Sequence, residues 1–294
     1  MMKFSGWAAA VVMLLAGAAA LAQETPQAAE DVPIVVEGRR DNDSQIRELV
    51  ASLPPASANG HLTRFERAAC PAVIGLPPSQ RALAVERMRA VAAAGGVPLG
   101  KPNCRVNVLV IVAADKKLLI EQLAKLYPYY FGEMSGRQVK ALAAKPGPAA
   151  LWQMNGLVDA DGRDLDTAGG GVMARRTTRG ASRITDLAHP DLSGSILVVE
   201  AGALVGLTTT QLADYAALRT LTGADPARVG EGKLSTILTV LDAPMGGEVP
   251  VTLTPWDLAF IKSFYAMETN RFAPAQRGQI KRGMEKALKT GDPG

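Results

Sequence analysis

The chain has 294 residues, 48% hydrophobic but only 5% aromatic, so it can build a sizeable core that must be aliphatic and alanine-rich. Against 28 acidic residues stand 32 basic ones, a formal charge of +4 that is too mild to argue for a nucleic-acid partner. There are two histidines, His61 and His189, which excludes any mechanism needing three imidazoles.

Lys3, the apolar run Trp7–Leu21 and the small-x-small triplet Ala20-Leu21-Ala22 follow the order of a secretory signal peptide over residues 1–22, cut near Ala22. The run is shorter than the ~20 residues that span a bilayer, and no cysteine follows the cut to carry a lipid. The mature chain is expected in the periplasm or outside the cell, not as an integral membrane protein. Export bears on Cys70 and Cys104, the two cysteines, because an oxidising compartment favours their pairing; two buried free thiols are the alternative. Neither lies in a Cys-x-x-Cys, which argues against thiol redox catalysis.

Gln23–Val32 is polar and reads as a disordered leader, followed by one globular domain over 33–290 and a tail, 291–294. Pro33-Ile34-Val35-Val36-Glu37-Gly38 reads as a short strand. It also resembles the TonB box, an extended segment of outer-membrane receptors that pairs with a partner by strand addition, although no barrel pattern follows it. Asp43–Leu53 is expected to be a helix stopped by Pro54-Pro55, and His61 to be a surface residue in a polar stretch. Ser79–Ala94 reads as a helix led in by Pro77-Pro78, capped by Ser79 and stopped by Gly95-Gly96. The β-branched run within Arg105–Ala113 predicts a strand buried on both faces, and Asp115 is placed to cap a helix over Lys116–Leu126. Tyr127-Pro128-Tyr129-Tyr130-Phe131 is a binding surface if exposed; the commoner arrangement is a corner of the core. Ser135–Ala144 is a further short helix.

The stretch 151–183 reads as a hairpin insertion. Trp152-Gln153-Met154 has strand character, and Asp159, Asp161, Asp164 and Asp166 gather around Gly162. The spacing is wrong for an EF-hand, so a turn is favoured over a weak cation site. Arg175, Arg176, Arg179 and Arg183 follow a glycine run that lacks the Lys-Ser/Thr of a phosphate loop. They form either a solvated hairpin or a patch for an anionic envelope polymer; no aromatic residues interleave to stack bases. His189 has Asp186 and Ser195 near it in sequence, without the Gly-x-Ser-x-Gly elbow of a hydrolase.

Ser195–Ala201 reads as a buried strand feeding the helix Thr208–Leu221. Thr208 and Gln211 have the spacing of a capping box, and Leu212, Tyr215, Leu218 and Leu221 recur as a core face. The segment Thr210-Gln211-Leu212-Ala213-Asp214-Tyr215 resembles, in its small and apolar positions, the metal-binding helix of zincin metallopeptidases. Farther on, Ser235-Thr236-Ile237-Leu238 and then Leu253-Thr254-Pro255-Trp256-Asp257, with Phe264-Tyr265, resemble the order of exported zincin-like proteins. The resemblance implies a zincin-like fold in which Thr210, Gln211 and Asp214 stand where His-Glu-x-x-His would hold zinc and activate water. An amide cannot replace the general base, so no cofactor and no peptidase chemistry are implied.

Pro274–Leu288 closes the chain as a basic helix with a narrow apolar stripe. Taken together, the residues predict an α/β (α+β) fold, a mixed sheet with several packed helices. The function expected is a non-catalytic binding or envelope-support domain whose partner is an envelope protein or anionic polymer. The alternative is a hydrolase using carboxylates such as Asp214, Glu200 or Asp257.

Overall fold

The computed structural model describes residues 42–58, 60–159, 188–229, 234–244 and 246–290. The expected signal peptide and leader, the strand Pro33–Gly38, the acidic turn beyond Asp159, Asp186, the arginines Arg175, Arg176, Arg179 and Arg183, and the tail 291–294 lie outside them.

The described residues form an α/β fold: helices α1 (Asn42–Ser52), α2 (Pro78–Ala94), α3 (Lys116–Leu126), α4 (Gly136–Ala143), α5 (Thr209–Thr222), α6 (Pro255–Ala266) and α7 (Ala273–Thr290) pack around strands β1 (Pro71–Ile74), β2 (Val108–Ala113), β3 (Ala149–Asp159) and β4 (Ala188–Glu200). The strands form one mixed sheet in the order β1-β2-β4-β3. β1, β2 and β4 are parallel, with Val110 beside Val73 and Leu197. β3 returns antiparallel at the edge, with Leu151 opposite Leu197.

Strand alternation divides the core. Val108, Val110, Val112, Leu197 and Val199 turn to one face, where they meet residues of α1, α2, α5, α6 and α7. Ile111, Ile196, Val198, Ala150 and Trp152 turn to the other, against Ile120 of α3, Phe131, and Val139 and Ala143 of α4. Each valine, leucine, isoleucine or phenylalanine side chain buried this way contributes about 1.5–3 kcal/mol. The continuous apolar reading of β2 and β4 follows from this double coverage.

Local chemistry sets most helix starts. Asp115 accepts from Leu118 N at 2.8 Å to begin α3, and capping boxes start α4 at Ser135–Gln138, α5 at Thr208–Gln211 and α6 at Thr254–Asp257. α2 differs from expectation. Its N-cap is Pro77, and Ser79 does not cap it; the proline pair sets the helical φ and Pro78 needs no N–H partner in the first turn. α5 ends at Gly223, which is left-handed at φ +72.

Cys70 and Cys104 form a disulfide, with Cα atoms 5.9 Å apart. It ties the entry to β1 to the loop before β2. Three further features depart from the sequence reading. His61 is buried, stacked on Phe272 at 5.1 Å with Nδ1 2.8 Å from Arg271 O. β4 begins seven residues earlier than expected and carries the buried His189 inside the sheet. Of the aromatic cluster only Phe131 is a core corner, stacked on Trp152; Tyr129 is 65% exposed and Tyr127 and Tyr130 lie beside it at the surface. Among the described residues, no helix is long and apolar enough to cross a membrane.

Candidate functional site

The polar positions of α5 are committed to the fold. Thr210 is exposed in the first turn, but every residue from Gln211 to Thr222 is buried. Gln211 Oε1 accepts from Thr208 N at 2.9 Å, and its Nε2 donates to Pro250 O at 2.8 Å. Asp214 is wholly buried and accepts four hydrogen bonds: Arg87 Nε at 2.6 Å, Arg87 Nη2 at 3.0 Å, Thr252 Oγ1 at 2.7 Å and Leu253 N at 2.7 Å. Gln211 and Asp214 thereby fasten the segment 250–253 to α5, and Arg87 adds α2. Tyr215 packs in the core with the Arg219 guanidinium 5.8 Å from its ring centre; burial pushes its hydroxyl pKa up to about 12.

The other carboxylates singled out in the sequence are equally occupied. Asp257 is completely buried and takes Thr236 Oγ1 at 2.5 Å, Ile237 N at 2.9 Å and both Thr254 N and Oγ1. Burial holds its pKa above the ordinary value, opposed by these donors. Glu200 Oε1 accepts from Lys116 N at 3.2 Å, at the junction of β4 and α3. His189 and Ser195 lie six residues apart on one extended strand, roughly 20 Å, and cannot converge. His189 Nε2 is instead 2.9 Å from Glu66 Oε1, while Asp191 accepts from Glu66 N and Arg67 Nε. Among the described residues, no three of His, Cys, Asp and Glu are gathered as a metal site would need.

The more open arrangement is at the edge of the sheet. β3 is paired with β4 alone among the described strands. Glu200 N donates to Pro148 O, and the alternation of an antiparallel ladder then turns the main-chain N–H and C=O of Ala149, Leu151 and Gln153 away from β4. From Ala149 to Val158 the strand contains no charged residue and no proline, the usual means of blunting an edge; a bulge after Met154 is its one irregularity. The opposite edge, β1, has four residues and starts with Pro71.

Beside Leu151 and Gln153 lies a crevice of about 190 Å³, walled by the C-terminal end of α5 and by Pro54. Gly223 permits the close approach, since a Cβ there would lie 2.7 Å from Gln153 Oε1. Three cations line it. Lys145 Nζ is 2.6 Å from Asp225 Oδ2, Arg228 Nη1 donates to Leu53 O at 3.2 Å, and Arg219 Nη1 holds Ala224 O while lying 3.5 Å from Asp225 Oδ1. Arg219 Nε is buried without a hydrogen-bond partner. Asp225 is the one lining carboxylate. Burial raises its pKa, but the Lys145 hydrogen bond and the charges of Lys145 and Arg219 outweigh that and hold it below 3.8. Asp242 faces Arg219 from nearby, its pKa raised by burial and by Asp225 against the pull of Arg219.

Lys145, Arg219, Asp225 and Arg228 share no motif and span 83 positions, so the sequence carries no signal for this crevice beyond the Pro54-Pro55 stop and the Gly223 cap. Comparison with protein-family models, with curated proteins and with solved structures finds no match to the chain.

Proposed function

We propose that this chain is an exported, non-catalytic binding domain on a degenerate zincin-like core, and that its binding surface is the edge of β3 that no described strand pairs, which takes up an extended chain by strand addition. The observation that carries the reading is the edge itself: the run Ala149–Val158, paired on one side only among the described strands, without edge-blunting charges, beside a crevice. The absence of catalysis is argued from what the α5 side chains already do, since Gln211 and Asp214 have spent their hydrogen-bonding capacity on segment 250–253 and Arg87. The zincin-like ancestry draws support from β4 leading into α5, and from the contact between two segments of the resemblance, where Thr236 and Ile237 both donate to Asp257. Export agrees with the Cys70–Cys104 disulfide.

The test is to pan a random heptapeptide library against the purified mature protein and to follow amide hydrogen exchange with a selected peptide bound. Strand addition slows exchange at Leu151 and Gln153. Protection confined to another element would overturn the choice of surface. Stoichiometric zinc together with peptide cleavage would overturn the non-catalytic reading.

A further inference from the structure

We infer that the extended chain received at the β3 edge carries an acidic side chain, and that this carboxylate seats in the crevice lined by Lys145, Arg219 and Arg228. The inference rests on the strand-addition reading and adds the chemistry of the ligand.

Direction comes first. Leu151 packs against the core on the α5 side of the sheet, and Gln153 Nε2 donates to Thr220 O of α5 at 3.3 Å. Residues directly opposite each other in neighbouring strands project to the same face, so residues of an added strand that face Leu151 or Gln153 turn toward α5 and the crevice. Neighbouring strands lie about 4.8 Å apart, which brings such a side chain to the crevice mouth without a long reach.

Charge decides what that side chain is. Three cations face one lining carboxylate, and that carboxylate is already paired with Lys145. The Lys145–Asp225 bridge is part-exposed, with side chains 37% and 21% accessible, so Lys145 can share a second carboxylate. Arg219 is fixed by Ala224 O and by the Tyr215 ring, and its Nε lacks an acceptor. A guanidinium held in this way has already lost its side-chain freedom, and a hydrogen bond from it to an ionised oxygen is stronger than one to a neutral group. A basic side chain would add a fourth cation to the same space, and an apolar one would displace water from Lys145 and Arg228 without offering them an acceptor.

The experiment uses the selected heptapeptides and synthetic versions of the tightest one. Aspartate or glutamate is expected at one fixed position of the selected set. Changing that residue to its amide should weaken binding about 10-fold, the equivalent of one charge-assisted hydrogen bond. Lys145→Gln and Arg228→Gln should each weaken the acidic peptide several-fold and leave the amide version unchanged; both side chains are accessible, and Arg219 is left intact because it holds the α5 end. Binding of the acidic peptide should fall with added salt. If the selected peptides show no acidic preference, or the amide version binds equally well, the carboxylate seat is overturned while exchange protection of β3 still supports strand uptake. If no peptide is selected, or protection appears away from β3, the strand reading fails and the seat fails with it.

Discussion

Asp214→Ala separates a structural aspartate from a catalytic one. The side chain is wholly buried and its two oxygens take four donors from three places in the chain: Arg87 on α2, Thr252 and the main chain of Leu253. A hydrogen bond to a charged acceptor contributes about 1.5–3 kcal/mol, but Thr252 and Leu253 are half-buried and regain some water when the carboxylate is gone. Arg87 is 37% exposed, so its ion pair adds under about 1 kcal/mol. The sum is a loss of about 3 kcal/mol, a large part of the 5–15 kcal/mol typical of a folded domain, and at this size it lowers Tm by about 6–12 °C. Urea unfolding followed by circular dichroism measures it as a lower midpoint at unchanged slope. Arg87→Gln alone should cost about 1 kcal/mol, and the double variant less than the sum of the two. A loss below about 1 kcal/mol for Asp214→Ala, or release of a bound metal with stability intact, would refute the reasoning.

Removing the disulfide with Cys70→Ala and Cys104→Ala should cost about 4 kcal/mol from the chain entropy of a loop with sequence separation 34, seen as a lower urea midpoint. Gly223→Ala places a Cβ 2.7 Å from Gln153 Oε1 at a φ of +72 and should destabilise by about 1–2 kcal/mol in thermal unfolding. The Asp225 pKa is lower in the folded state than its ordinary 3.8, so the group's contribution is present above 3.8 and is lost as pH falls through the folded value. Asp225→Asn should therefore differ most from the unaltered protein near neutrality, and the gap should close in unfolding curves taken progressively below pH 3.8. Protein purified without chelator should contain far less than one zinc per chain by elemental analysis.

Short-range chemistry explains what was legible in the sequence. The caps at Asp115 and Thr208 act over three residues, and each stands where the spacing placed it. The unbroken Val/Ile/Leu runs of β2 and β4 announced strands covered on both faces. The disulfide followed from two cysteines and an expected oxidising compartment. Illegible features depend on partners far away in the chain. Asp214 and Arg87 are 127 positions apart, and nothing in either segment names the other. His61 is buried because Arg271 and Phe272, 210 positions on, close over it. The exposed tyrosines have ordinary core composition, and only the turn Pro128–Phe131 decides that one ring goes inward and three stay out. The crevice combines both difficulties, since its cations come from three separate segments and its floor is the side of a strand.

One tie has a consequence for how the molecule assembles. The last turn of α1 leaves carbonyls that no residue within that helix can satisfy, and Arg277 of α7 donates to Val50 O and Pro54 O, both at 2.6 Å. An eleven-residue helix alone in water is marginal. Ribosomes deliver α1 early and α7 last; Asp225 N can reach Ser52 O and Arg228 can reach Leu53 O before then, but the Arg277 clamp is missing until more than two hundred further residues have emerged. A translation product halted before Ala273 should leave α1 open to proteases even when the central sheet has formed, and completion of the final helix should close it.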